Sequence, residues 1–95
     1  MESIEIKAQI TTIVSDAFSY CTSLKTITLP SSLEIIEEYA FYDCRGLESI
    51  TIPSNVTIIS TKAFDECPAL TTIVGEKGSY AETFAQNNGY TFVEK

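Results

Sequence analysis

The sequence contains no histidine and no tryptophan. Without histidine, a cysteine or serine nucleophile lacks its usual base, and the commonest metal ligand is missing. Thiol-protease chemistry is thereby excluded. Cysteine occurs only at positions 21, 44 and 67. That odd count, with no CxxC pair, fits neither a disulfide framework nor a thiolate zinc site, so the three read as reduced structural thiols facing an interior. Glycine occurs four times and forms no phosphate-cradling loop. Basic residues are few, 6 against 13 acidic ones, for a net charge of −7. Such a surface repels phosphate backbones and anionic lipid, so nucleic acid is not an expected partner. No apolar run approaches the ~20 residues needed to cross a bilayer, so membrane insertion is not expected either. Met1-Glu2-Ser3 lacks the basic start and apolar stretch of a signal peptide. No cofactor and no metal ligand set are expected, and an enzyme is the least favoured class.

What is present is a repeat. Ala40, Phe41, Cys44, Leu47, Ile50, Ile52 and Pro53 define a frame. The same frame starts 23 residues earlier at Ala17 (with Phe18, Cys21, Leu24, Ile27, Leu29 and Pro30) and 23 residues later at Ala63 (with Phe64, Cys67, Leu70 and Ile73). Backward extension puts Met1, Ile4 and Ile6 in register with Leu24, Ile27 and Leu29. A second apolar set, Ile10 and Ile13, Leu33 and Ile36, Val56 and Ile59, recurs at the same interval. Around Ile50 and Ile52 apolar and polar residues alternate, the period of a half-buried strand. Pro30 and Pro53 end that strand and open a turn. A short β-branched segment follows. Ala, Phe, Cys and Leu then fall at the spacing of one helical face, with Ser15 or Thr61 placed to cap a single turn of helix. A unit this small cannot close its own core, but stacked on a neighbour it buries ladders of Ile, Phe, Leu and Cys.

The expected fold is therefore an α+β repeat solenoid, a right-handed stack of about four 23-residue repeats with short parallel strands. Residues 1–74 are repeats (1–16 partial, 17–39, 40–62, 63–74 partial). Residues 75–95 form a cap: Ser79-Tyr80-Ala81-Glu82 matches a capping box, a helix runs from about Tyr80 to Asn87, Asn88-Gly89 stops it, and Tyr90 to Val93 is a last strand.

The frame Ala-Phe-x-x-Cys-x-x-Leu-x-x-Ile-x-Ile-Pro-x-x-Val resembles the BspA-like, or Treponema pallidum-type, leucine-rich repeats over residues 1–74. The tail from Gly78 through Phe92 is similar to the segment that often closes such arrays. The resemblance implies an extracellular or cell-surface recognition repeat, common in bacteria of the mouth and gut, in spirochaetes and in some protozoa, with some members acting as adhesins. Two departures stand out. Family repeats usually carry glycine where this chain has Val14, Glu37 and Ser60, so looser turns are expected there. Family proteins are also longer, with a secretion signal and wall anchor, so the chain reads as a C-terminal fragment or a minimal member.

Two surfaces are candidate sites. Polar alternates of the first strand of each unit form a strip of Lys25, Thr26, Thr28, Glu48, Ser49, Thr51, Thr71 and Thr72, the face on which solenoids normally bind protein. The same residues would also arise from strand propensity alone. Ile35 and Ile58 sit beside the inward Ile36 and Ile59 and should point outward, with Tyr39 and Tyr42 flanking them as a second contact surface. Glu34, Glu37, Glu38 and Asp43 read as a solvated acidic face, and the Asn55-Val56-Thr57 sequon as a turn. The expected function is a non-enzymatic protein-binding module of a bacterial surface or secreted protein. The alternative is a structural spacer or terminal cap with no ligand. The N-terminal end, exposing Ile4 and Ile6, would be covered by upstream repeats or by a second copy in a homodimer.

Overall fold

The structure, a computed structural model, describes residues 2–95; the expected register of Met1 lies outside them. The 23-residue frame becomes a solenoid of about four coils. The first strands of the coils are β1 (Ser3–Glu5), β3 (Thr26–Thr28), β5 (Ser49–Thr51) and β7 (Thr72–Gly75). The second strands are β2 (Thr12–Ile13), β4 (Ile35–Ile36) and β6 (Ile58–Ile59). All pairings are parallel, and those between repeats keep the sequence offset: Ile4 opposite Ile27, Ile36 opposite Ile59, Ile50 opposite Ile73. β2, β4 and β6 form one sheet, while the first-strand face is divided into β1–β3 and a sheet of β5 and β7. β3 lies beside β5 without ladder bonds among the described residues.

Three turns close each coil, each with a hydrogen bond from residue i+3 back to residue i. Leu33 and Val56 N–H bond Pro30 and Pro53. Leu24, Leu47 and Leu70 N–H bond Cys21, Cys44 and Cys67. Ala17, Ala40 and Ala63 N–H bond Val14, Glu37 and Ser60 at 3.1, 3.2 and 3.0 Å. The last set corrects the expectation of looser turns where glycine is missing. In the first two copies Asp16 and Tyr39 stand in the third position with φ of 63° and 62°, the left-handed residue that a type II turn requires.

The single turn of helix expected from the Ala-Phe-x-x-Cys spacing is not formed. Tyr20, Asp43 and Glu66, each just before its cysteine, have φ of 65°, 60° and 59°, which no right-handed helix accommodates. The N–H groups point across to the next coil: Phe18 to Ala40 (2.8 Å), Phe41 to Ala63 (2.9 Å), Tyr20 to Tyr42 (2.7 Å) and Asp43 to Asp65 (3.0 Å). Ser15 and Thr61 therefore cap nothing; the Ser15 N–H is taken by the Glu37 carboxylate. Helical spacing and a third ladder side place the same residues inward, so periodicity alone cannot separate them.

The core is a set of columns. Phe18, Phe41 and Phe64 stack at 5.4 Å between centroids, with interplanar angles of 12° and 16°. Leu24, Leu47 and Leu70 are buried, as are Ile27, Ile50 and Ile73. Each such side chain contributes about 1.5–3 kcal/mol when fully buried. Of the three free thiols only Cys44 is fully buried; Cys21 and Cys67 are half-buried, nearer the ends of the column. Cys44 and Cys67 donate to the Phe18 and Phe41 carbonyls. The neighbouring Cys67 thiol and burial push the Cys44 thiol far above its ordinary range, so it stays protonated. Gly46 allows a close approach of coils: a Cβ there would lie 2.9 Å from the Thr22 carbonyl oxygen and 3.3 Å from that of Leu24. Gly46→Ala should therefore cost about 1–3 kcal/mol, read as a lowered urea midpoint with unchanged slope.

The cap replaces a coil. Helix α1 (Tyr80–Asn88) packs on β7 where Gly75 leaves room for Ala81. Gly89, at φ 81°, ends the helix with its N–H on the Ala85 carbonyl. Strand β8 (Thr91–Glu94) then pairs with β7, Ile73 opposite Phe92, extending the first-strand sheet after a shorter connection than a repeat would use. Ser79 is the N-cap residue, but its hydroxyl donates to the Glu76 carbonyl, while Glu82 accepts from the Gly78 N–H instead of closing the expected box. The Tyr80 hydroxyl meets the backbone of Ile59 on β6, where a further coil would otherwise pair.

Candidate protein-binding surface

Inward isoleucines at the centre of β3, β5 and β7 force their neighbours outward, because successive strand residues alternate faces. Thr26 and Thr28 are exposed, Ser49, Thr51 and Thr72 half-exposed. Lys25, Glu48 and Thr71 immediately precede these strands and are exposed. The expected strip is thus brought onto one side of the molecule, though over two hydrogen-bonded sheets instead of one. β8 adds the exposed Thr91 and Val93, the latter 45% exposed. At the carboxyl ends of the strands lies a groove of about 600 Å³ whose walls include Thr28, Ser31, Thr51, Asn55, Glu76 and Lys95. Sequence reasoning missed this groove, because its walls come from strand ends, proline turns and the cap. Asn55 is held there by its side-chain N–H on the Ser31 carbonyl at 2.9 Å, so the nitrogen a glycan would need already ties one turn to the previous one.

The second expected surface separates into two groups. Ile35 and Ile58 are register partners on β4 and β6, half-buried and 54% exposed respectively, with Ile36 and Ile59 buried beside them. Tyr39 and Tyr42 instead gather with Tyr20. Tyr42 meets Tyr20 at 5.4 Å and 88°, and Tyr39 at 5.4 Å and 79°. The three rings, with Asp16 and Asp65, line a small open cavity of about 200 Å³ in whose walls neither isoleucine takes part. Tyr20 escaped the sequence reading because it falls one residue before Cys21, where the other coils carry Asp43 and Glu66. Its left-handed backbone turns the ring toward that of Tyr42, and no periodicity announces this. Partial desolvation, then the neighbouring Tyr20 phenol and the carboxylates of Glu66, Asp43 and Asp65, raise the Tyr42 hydroxyl above its ordinary range.

The acidic residues do not converge. Glu34, Glu37 and Glu38 are exposed, and Asp43 pairs with the Arg45 guanidinium at 2.6 Å. The chemistry on offer is a broad hydrogen-bonding strand face, a groove at its end and an aromatic cluster on another side.

In-register parallel strands, proline turns and a helix-plus-strand end together define a leucine-rich-repeat solenoid. The chain belongs to the BspA type leucine rich repeat region family, whose model matches residues 1–90 in six copies. Among solved structures it is similar to a leucine rich cell surface protein of Faecalibacterium prausnitzii A2-165, at 45% identity and a TM-score of 0.72 over 79% of this chain. The match covers 20% of that protein. No curated protein matches.

Proposed function

We propose that this chain is a non-enzymatic protein-binding module of a surface-displayed or secreted bacterial protein, used for adhesion to host or microbial proteins. The observation that carries the reading is the strand face. Thr26, Thr28, Ser49, Thr51 and Thr72 project from packed parallel strands beside an open groove, so a partner meets preordered hydrogen-bonding groups and the domain loses little conformational freedom on binding. Membership of a leucine-rich-repeat family and likeness to a cell surface protein support it. Lys25, Glu48 and Thr71 frame the strip and set the charge a partner must match. β1 pairs only with β3 among the described residues, and its outer edge and Ile4 suit a preceding coil or a second copy.

The test is saturable binding of the immobilised domain to a panel of host matrix proteins and bacterial surface extracts at physiological salt. Thr28→Arg/Thr51→Arg, which adds bulk and charge without touching the core, should abolish it. Absence of saturable binding by the native domain favours the spacer or cap role.

A further inference from the structure

The tyrosine cluster has a composition that its place in the fold does not demand. Tyr20 and Tyr39 both occupy left-handed backbone positions, at φ 65° and 62°, where asparagine or glycine would be accommodated with less strain. Their rings stand nearly perpendicular to that of Tyr42, and all three tyrosines take part in the wall of one small open cavity, which they share with polar groups. The remaining walls are the carboxylates of Asp16 and Asp65. The Ser19 hydroxyl, 2.9 Å from Asp16 and 3.0 Å from the Tyr39 carbonyl, fixes the Asp16 side of the cavity. Aromatic faces carry negative charge density, and carboxylates at their margin add to it. One of the three rings already carries a cation contact, the Lys62 ammonium lying 6.0 Å from the centroid of Tyr39, although Lys62 takes no part in the cavity wall.

We propose that Tyr20, Tyr39 and Tyr42 form an aromatic box that binds a trimethylammonium group, with Asp16 and Asp65 supplying the counter-charge at its rim. A methylated ammonium suits the box better than a primary amine. It is bulky and weakly hydrated, so it gains from ring contact what a strongly hydrated lysine head would lose on leaving water. The acidic rim discriminates further, favouring a cation with no anion beside it, such as choline or a trimethylated lysine side chain, over phosphocholine. The box lies on the turn segments and shares no residue with the strand-face strip, so it is independent of the proposed protein-binding site.

The experiment is an NMR titration of the whole 95-residue chain with choline, phosphocholine, Nε-trimethyl-lysine and 3,3-dimethylbutan-1-ol, the neutral isostere of choline. The expected result is an upfield shift of the choline methyl protons, with amide shifts concentrated at Tyr20, Tyr39, Tyr42 and Asp65. Choline and trimethyl-lysine should bind more tightly than phosphocholine, and dimethylbutanol at least about tenfold more weakly than choline. Tyr20→Leu, at a ring 65% exposed and therefore safe for folding, should weaken choline binding roughly three- to thirtyfold. Asp65→Asn should narrow the preference for choline over phosphocholine, and Thr28→Arg/Thr51→Arg should leave choline binding unchanged. Equal binding of choline and its neutral isostere overturns the proposal, as do shifts away from the three tyrosines, full affinity in Tyr20→Leu, or no saturable binding of any cation.

Discussion

Phe41→Ala is expected to lower the unfolding free energy by about 3–5 kcal/mol. The ring is fully buried and sandwiched between Phe18 and Phe64, with both centroids 5.4 Å away. Truncation removes the largest wholly enclosed side chain and leaves a void bounded by its two stacking partners, which cannot collapse because each is anchored by its own coil. Offset aromatic pairs contribute about 0.5–1.5 kcal/mol beyond area burial, and two are lost together. A domain of this size has roughly 5–15 kcal/mol of stability, so the change removes a large share of the total. In a solenoid each coil is stabilised chiefly by its neighbours, so a central lesion also uncouples the halves. Urea unfolding followed by circular dichroism should show a lowered midpoint and a reduced slope. Phe18→Ala, at a half-buried position nearer the end, should cost distinctly less. Equal costs at the two positions would contradict a continuous column centred on Phe41.

The second large effect is expected at Phe84, with a different signature. Phe84 is buried in α1 and lies 6.1 Å from Phe64, 6.4 Å from Tyr80 and 6.0 Å from Tyr90. It fastens the cap to the last coil. Phe84→Ala should also cost about 3–5 kcal/mol, because an aromatic core residue is lost. Here the loss falls on one end. A nine-residue helix has no stability of its own, so α1 and β8 should open before the rest. Hydrogen exchange should then accelerate at Thr91 and Lys95, whose N–H groups bond the Thr71 and Gly75 carbonyls, while Ile35 and Glu37, whose N–H groups bond the Thr11 and Ile13 carbonyls, keep their protection. Uniform acceleration through all coils would show that the cap and the repeats unfold as one unit.

Much of the fold was legible because one column position in the sequence becomes one column in space. The interval between Phe18, Phe41 and Phe64 is the coil length, and the ring stack follows from it. The strand positions of Ile27, Ile50 and Ile73, the proline turns and the α1 boundaries were readable for the same local reasons. The third side of the coil was not. Ala17, Phe18 and Cys21 fit a helical face as well as a turn-and-ladder path, and the choice is made by left-handed residues such as Tyr20 and Asp43, a backbone state that residue type hardly signals. The strip was legible because strand alternation is a local rule. The tyrosine box was not: Asp16 and Tyr39 share one column of the repeat and Tyr42 and Asp65 another, but the residue type changes along each column, and Tyr20 belongs to neither. Likewise the groove beside Thr28 and Thr51 needs Glu76 and Lys95 from the cap, which no repeat frame places.

The claim that the strand face is the binding surface is tested most directly by one comparison: saturation binding of the native domain, Thr28→Arg/Thr51→Arg and Tyr20→Leu to the same captured partner, after circular dichroism has shown all three equally folded. The account predicts that the strip variant loses at least about tenfold in affinity, or about 1.4 kcal/mol, while Tyr20→Leu binds as the native domain does. Full affinity in the strip variant would contradict it and move protein recognition off the strand face.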